Sequence, residues 1–335
     1  MHNKRGCYGP KKMKIQRNKI IYFILLTLNS CKKSLTNTCI SSLDFEKSMA
    51  TSREISTITG PKWAIVALTR PGRNDIIERN KNLVDKLKPF ASNRNVTALF
   101  LSEYSLPIDY IRSWEKSFAG FARVRVVNIA HLGFNSRERY GYKYMCKVFG
   151  IDLYTILREY DYYIRCDSDC YLRTLKYDIF EYVESKQIEY GYVMRKLEAH
   201  GPTKQLMPIW VRKYLKTCAL TAKSMMDYPL NTCFNFYNNF HIGSVHFFLR
   251  PDVQHFLSAV NRSGHILSDR WGDSTIQAYA VRIFMKPQNL QQLPDLEYVH
   301  GSHSNRLVSS VGDGSKTTVP QRLPHYDGRA IDEQN

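Results

Sequence analysis

Apolar and polar positions along this chain fall into blocks that switch between two periods. From Trp63 to Thr69 (WAIVALT) the run is continuously apolar and stops at Arg70, Pro71 and Gly72, which predicts a strand buried on both faces that leads into a turn. Asp75 to Leu87 then carries apolar residues at helical spacing. Val96–Ser102 and Val124–Ile129 are two more apolar runs, with helical segments between them. Strand, turn and helix repeated in this way predict an α/β domain with a largely parallel sheet, because parallel neighbours need a crossover and a helix usually supplies it. Further along, the pattern predicts a long helix over Glu138–Leu157 and a buried aromatic strand over Tyr160–Cys166. A strand over Tyr190–Met194, a helix over Pro208–Met226 and a strand over Asn239–Leu249 follow. The last predicted elements are helices over Asp252–Val260 and Ser274–Phe284, and no internal repeat is present.

Composition fits a folded core: 335 residues, 43% of them hydrophobic, and 22 tyrosines that offer rings with a polar tip. The formal net charge of +18 changes meaning once it is located. Residues 1–33 hold nine Lys or Arg and no acid, leaving 39 basic against 30 acidic residues over the remainder. Half the excess therefore sits in a leader-like stretch, where Lys4 to Lys19 precede an apolar run from Ile20 to Leu28 and then Lys32 and Lys33. We expect residues 1–35 to form a basic targeting or signal-anchor segment and the Ser/Thr-rich residues 36–60 a stem or linker. A folded domain is expected over 61–300 and a polar tail over 301–335. A run of nine residues is short of the roughly 20 that span a bilayer as a helix. With the charge so concentrated, and with no zinc-module or RNA-binding aromatic motif, nucleic acid is not an expected partner. The eight cysteines form no paired CxxC set.

Three stretches carry candidate chemistry. Asp167, Ser168 and Asp169 follow the apolar strand DYYIRC directly, which places two carboxylates at a strand's carboxyl end, where open α/β sheets bind ligands. Hard carboxylate oxygens there suit Mn²⁺ or Mg²⁺, which offsets charge on a departing diphosphate. Asp269 to Asp273 (DRWGD) precedes a helix, so Asp273 is either an N-cap or a functional acid. Thr232 to Gly243 (TCFNFYNNFHIG) gathers aromatics, amides and His241, groups that hydrogen-bond sugar hydroxyls or simply fill a strand edge.

In this order and with these flanks, the three stretches resemble glycosyltransferase family 15, the fungal-type α-1,2-mannosyltransferases. The resemblance covers roughly Trp63 to His300 and is closest over RYGYKYMCKVF, YDYYIRCDSDCYLRTLKYDIF and RWGDSTIQA. It implies a GT-A-like fold with a central mixed, largely parallel sheet flanked by helices. It also implies GDP-mannose as donor, Mn²⁺ or another divalent cation, retention of configuration, and a mannosylated glycoprotein or oligosaccharide as acceptor in the Golgi lumen. A type II arrangement in the membrane through the N-terminus would follow. Position by position, the resemblance puts Asp167, Asp169 and His300 at the metal and Arg70 at the nucleotide, where a guanidinium pairs with phosphate. Tyr142 matches a residue near donor and acceptor, and Asp273 a candidate for acceptor activation.

One position departs from the family. Where the family has Glu, proposed as nucleophile or base, this chain has His241 in NFHIG. Imidazole accepts a proton near neutral pH but does not form the glycosyl ester expected of a carboxylate. The sequence therefore supports an active retaining transferase in which Asp273 and His241 position the acceptor hydroxyl. The alternative is a non-catalytic carbohydrate- or nucleotide-sugar-binding relative.

Overall fold

The computed structural model describes residues 60–71, 75–133, 141–222 and 230–300, with the backbone of 303–304. The segments expected as targeting sequence, stem and tail lie outside these residues, apart from Gly60 and the 303–304 backbone.

The first part is a repeated strand–helix unit. It runs through β1 (Lys62–Thr69), α1 (Asp75–Leu87), β2 (Asn95–Ser102), α2 (Ile108–Phe118) and β3 (Arg123–Asn128). β1 pairs in parallel with β2, with Val66 opposite Leu99, and β2 pairs in parallel with β3, with Phe100 opposite Val126. β1 is apolar throughout because both its faces are covered. Trp63, Ile65 and Ala67 pack with Ile76, Leu83, Trp114 and Phe118 of the two helices, while Ala64 and Val66 join a second core on the other face.

The chain then crosses to the other side of β1. α3 (Gly141–Lys147) runs into a wide π-helical turn over Val148–Asp152 and a last α-turn, α4 (Leu153–Ile156), before β4 (Tyr162–Cys166) pairs in parallel with β1. The helix predicted over Glu138–Leu157 is thus present from Gly141, with 134–140 outside the described residues, but it is not uniform. A Cβ at Gly150 in the wide turn would sit 3.3 Å from the Cα of Asp273, so this turn packs tightly against the helix that begins at Asp273.

The remaining elements are β5 (Cys170–Leu175), α5 (Ile179–Ser185), β6 (Tyr190–Tyr192), β7 (Arg195–Leu197), α6 (Gly201–Thr217), β8 (Phe234–Phe236) and β9 (Phe240–Ser244). After them come α7 (Val245–Leu249), α8 (Pro251–Arg262), α9 (His265–Ser268), α10 (Asp273–Phe284), β10 (Leu290–Gln292), β11 (Leu296–His300) and β12 (His303–Ser304). The main sheet has seven strands in the order β10-β6-β9-β4-β1-β2-β3, and only β9 runs against its neighbours. A three-stranded antiparallel sheet, β12-β11-β5, and a β7-β8 pair stand beside it. The described domain is therefore the mixed, largely parallel sheet flanked by helices that the sequence predicts.

Two predicted boundaries move. The strand expected over Asn239–Leu249 stops at Ser244, whose hydroxyl accepts a hydrogen bond from the Phe247 N–H at 3.4 Å and starts α7. Val245, Phe247 and Phe248 are all buried, so an apolar run that short does not distinguish strand from helix. The helix expected from Pro208 begins at Gly201. His200 caps it, accepting from the Thr203 N–H at 3.4 Å, and Pro208 lies inside it. It ends at Thr217, and of the stretch up to Met226 residues 223–226 lie outside the described residues.

Candidate active site

The site forms where β4 and β9 meet. The two strands are antiparallel with Arg165 opposite His241, and the next residues beyond them, Asp167 and Asn239, are joined by the Asp167 N–H donating to the Asn239 carbonyl at 3.0 Å. His300 arrives from the small sheet, where β11 pairs with β5 and places His300 opposite Cys170, next to Asp169. Asp273 enters on the first turn of α10.

Arg165 is the centre of the arrangement. Its Nε donates to Asp167 Oδ1 at 2.8 Å, its Nη2 to Asp167 Oδ2 at 3.2 Å and its Nη1 to Asp273 Oδ2, while the guanidinium carbon lies 3.8 Å from the centre of the Phe149 ring. The Arg165 side chain is 3% exposed and that of Asp273 5%. Burial alone would raise the Asp273 pKa, but the Arg165 charge, its hydrogen bond and the Asn238 amide outweigh this and hold the carboxyl below its ordinary range. The same carboxylates raise the Arg165 pKa against its own burial. Asp273 caps nothing: the cap residue of α10 is Gly272, and the Asp273 carboxylate accepts from Arg165 and, at 2.7 Å, from Asn238 Nδ2. The N-cap reading of Asp273 is therefore replaced by that of a buried, ion-paired acid.

Beside this pair, His300 Nε2 lies 3.2 Å from Asp169 Oδ1 and 3.1 Å from Asn239 Nδ2, and the same amide nitrogen is 3.1 Å from Asp167 Oδ2. Burial lowers the His300 pKa, but the hydrogen bond and charge of Asp169 more than reverse it, and the net shift is upward. Asp169 thus contacts the His300 imidazole directly, and Asp167 is linked to it through the Asn239 amide. As the side chains stand, no three His, Cys, Asp or Glu groups among the described residues are arranged to hold a metal ion, and both Asp167 oxygens face Arg165. The donor set itself suits a hard or borderline divalent cation. Asn239 Oδ1 is buried without a hydrogen-bond partner, a polar atom left for a ligand of the site.

Arg70, Asp167 and Asp169 line a single cleft of about 310 Å³, together with Thr69, Glu103 and Phe149. Arg70 is exposed at the end of β1, and the Thr69 hydroxyl beside it is buried without a partner. Tyr142 is 51% exposed, with the Arg270 guanidinium 4.5 Å from its ring centre, and burial of its hydroxyl raises its pKa.

His241 is placed elsewhere. It is fully buried behind Arg165, stacked on Tyr190 at 5.2 Å and edge-on to Tyr163 at 5.4 Å. Its Nδ1 is 3.0 Å from the Asn238 carbonyl oxygen, which only accepts, so Nδ1 carries the proton and Nε2 accepts from the Tyr163 hydroxyl at 3.1 Å. Burial, then the Arg165 charge, push the His241 pKa down to about 3, which keeps the ring neutral. The chain of bonds closes on the acid: Gln277 Nε2 donates to the Tyr154 hydroxyl at 3.0 Å, and Asn238 Nδ2 reaches both Gln277 Oε1 at 3.2 Å and Asp273. His241 is linked by hydrogen bonds to Asp273 through Asn238.

Arg165, Asn238 and Asn239 are the members of the site that the sequence did not single out. Arg165 sits inside the strand DYYIRC, where a charged residue in an apolar run is the signal, and the amides stand in the aromatic stretch whose sequence leaves sugar binding and strand-edge packing both open.

A sheet with one reversed strand, acids at the carboxyl end of its central strand and a cleft beside them define a nucleotide-sugar transferase fold of the GT-A-like class. The mannosyltransferase Ktr4p of Saccharomyces cerevisiae superposes with a TM-score of 0.62 at 17% identity, over 73% of this chain and 72% of that one. The Mn/GDP form of core-mannan synthase A from Aspergillus fumigatus gives 0.60 at 19% identity, over 72% and 75%. The model of the glycolipid 2-alpha-mannosyltransferase family matches residues 116–310, and the chain belongs to that family. Among curated relatives, a probable mannosyltransferase of Candida albicans, MNT3, is 24% identical over 184 residues, 52% of this chain and 47% of that protein. The glycolipid 2-alpha-mannosyltransferase of Saccharomyces cerevisiae is 25% identical over 175 residues, 49% and 39%. The matched segment spans less than half the length of either relative.

Proposed function

We propose that this protein transfers mannose from GDP-mannose to a mannose-containing acceptor, forming an α-1,2 linkage with retention of configuration. The observation that carries the reading is the Arg165 guanidinium bridging Asp167, at the cleft, and the buried Asp273. Asp167, Asp169 and His300 are the groups for Mn²⁺, and when bound the cation offsets charge on the departing diphosphate. Arg70, at the rim of the same cleft, pairs with phosphate oxygens. Tyr142, exposed and backed by Arg270, offers a face on which a sugar ring stacks.

A carboxylate held below its ordinary pKa is a weak base, so Asp273 is suited to orient the acceptor hydroxyl rather than remove its proton. The proton then passes to the departing phosphate oxygen as the acceptor oxygen bonds to the anomeric carbon on the face the diphosphate leaves. His241 supports this at one remove. Neutral and enclosed, it fixes Asn238, and Asn238 fixes Asp273, so double displacement has no carboxylate at position 241. The non-catalytic alternative fits less well with a cluster of acids and a guanidinium kept intact at the cleft.

We place this activity in the secretory pathway, in the Golgi lumen as a type II membrane protein. Its support is the fungal mannosyltransferase relatives and the basic, then apolar, residues before position 34. Among the described residues no helix is long and apolar enough to cross a membrane.

The deciding experiment is release of GDP from GDP-mannose, with and without Mn²⁺ and a mannose-based acceptor. Mn²⁺-dependent release that rises with acceptor is the expected result. Binding of donor without release would establish the non-catalytic alternative instead.

A further inference from the structure

The acidic turn is bracketed by sulfur. β4 ends in Cys166 and β5 begins with Cys170, so two thiols flank Asp167, Ser168 and Asp169, and neither is in a disulfide in this structure. Both are 0% exposed, packed beneath the turn with Leu172, Phe240 and Tyr298. The turn folds back on itself, the Cys170 N–H donating to the Asp167 carbonyl at 3.0 Å. This brings the Cys166 sulfur to 3.6 Å from the Cys170 carbonyl oxygen. A disulfide needs α-carbons closer than about 7 Å and side chains that converge, and the reversed turn sets the Cys166 sulfur against the residue that carries the second thiol. The other described cysteines, Cys146, Cys218 and Cys233, lie on α3, at the end of α6 and before β8, away from this turn.

We propose that Cys166 and Cys170 form a reversible disulfide that closes the acidic turn into a covalent ring, by exchange with a low-molecular-weight disulfide. In the first step the Cys166 sulfur bonds to one sulfur of the small disulfide, whose S–S bond breaks, and the expelled thiolate takes up the proton lost from Cys166. In the second the Cys170 sulfur bonds to that of Cys166 and releases the second small thiol with its proton. Two protein thiols are oxidised and one small disulfide is reduced to two thiols. Burial requires the turn to open before the first step, which makes the exchange slow. Once formed, the ring confines the backbone that carries Asp167 and Asp169.

The test uses the full chain incubated over a series of glutathione disulfide to glutathione ratios, then denatured in an alkylating agent and mapped by mass spectrometry. The expected result is a peptide, lighter by two hydrogens, in which Cys166 and Cys170 resist alkylation while Cys146, Cys218 and Cys233 react. Reduction with dithiothreitol should restore both thiols. Cys170→Ser should never give the linked form, carrying at most one glutathione at Cys166. Amide hydrogen exchange over 168–170 should slow at least tenfold on oxidation. If both cysteines alkylate at every ratio in protein that keeps its circular dichroism, the disulfide is excluded, and if the bond forms with exchange unchanged, its action on the turn is excluded. Both readouts are on sulfur and backbone and stand apart from the identity of the donor.

Discussion

Two arginines at opposite poles of the main sheet each gather carboxylates, and they do different work. At the carboxyl end of β4, Arg165 is buried and divides its donors between Asp167, which lines a cleft, and Asp273, which is buried behind it. At the other pole, Arg94 contacts Glu184 at 2.7 Å, Glu181 at 3.2 Å and Asp178 at 3.4 Å, and Glu184 also accepts from the Trp63 indole N–H at 2.8 Å. There the acids come from one short helix and its cap, and the Glu181 side chain is 65% exposed. The same residue types thus build a partly exposed staple at one pole, with Arg94 and Glu184 17% and 19% exposed, and a dry, oriented site at the other. Burial, more than the charge pattern, sets what each pair is worth, because a screened pair loses little when broken and a dry one leaves a stranded charge.

The largest effect should come from breaking the dry pair. Arg165→Met would leave Asp273 buried without its cation, and we expect about 3–5 kcal/mol of lost stability in urea denaturation, with transfer abolished. A variant of unchanged stability would place the two poles in one class. Asp169→Ala should keep the fold, since the side chain is half exposed, yet lower the Mn²⁺-dependent rate by about 10³-fold, roughly 4 kcal/mol of transition-state stabilisation. Steady-state GDP release at saturating Mn²⁺ measures it.

A smaller effect concerns acid. Folded His241 titrates near 3, against an ordinary value of 6.5 when unfolded. Above 6.5 both states hold it neutral and its contribution is complete. As pH falls below 6.5 the unfolded chain binds a proton that the folded chain refuses, and stability drops by about 1.4 kcal/mol per pH unit from this group. His241→Gln keeps a donor and an acceptor and removes the titration, so its denaturation midpoint should fall less between pH 7 and pH 5 than that of the parent. Equal slopes would mean that the imidazole is not sealed from water. The smallest effect belongs to the wet pole: Arg94→Ala should cost about 1 kcal/mol and leave GDP release untouched.

How much of this was readable beforehand follows from burial as well. β1 and α1 were legible to within a residue because a strand covered on both faces and a one-sided helix leave unambiguous patterns. Of the strand expected over Asn239–Leu249, the part beyond Ser244 was not, since an apolar run of that length fits strand or helix and the Ser244 cap decides. Asp167, Asp169 and Asp273 announced themselves as acids at element ends. Arg165 did not, because its role depends on a carboxylate 108 positions away. His241 was read as a group facing substrate, whereas the packing of Tyr163 and Tyr190 around it encloses the ring. Chemical type was legible, and the direction a side chain faces was not.

The wide turn at Gly150 has a consequence for how this protein can change over generations. Its position carries no reactive group, yet a single added methyl would press on the backbone of Asp273 and displace it by a few tenths of an ångström. Substitution there is tolerated only as far as α10 gives way, so the surroundings of the acid are tied to a residue with no chemistry of its own.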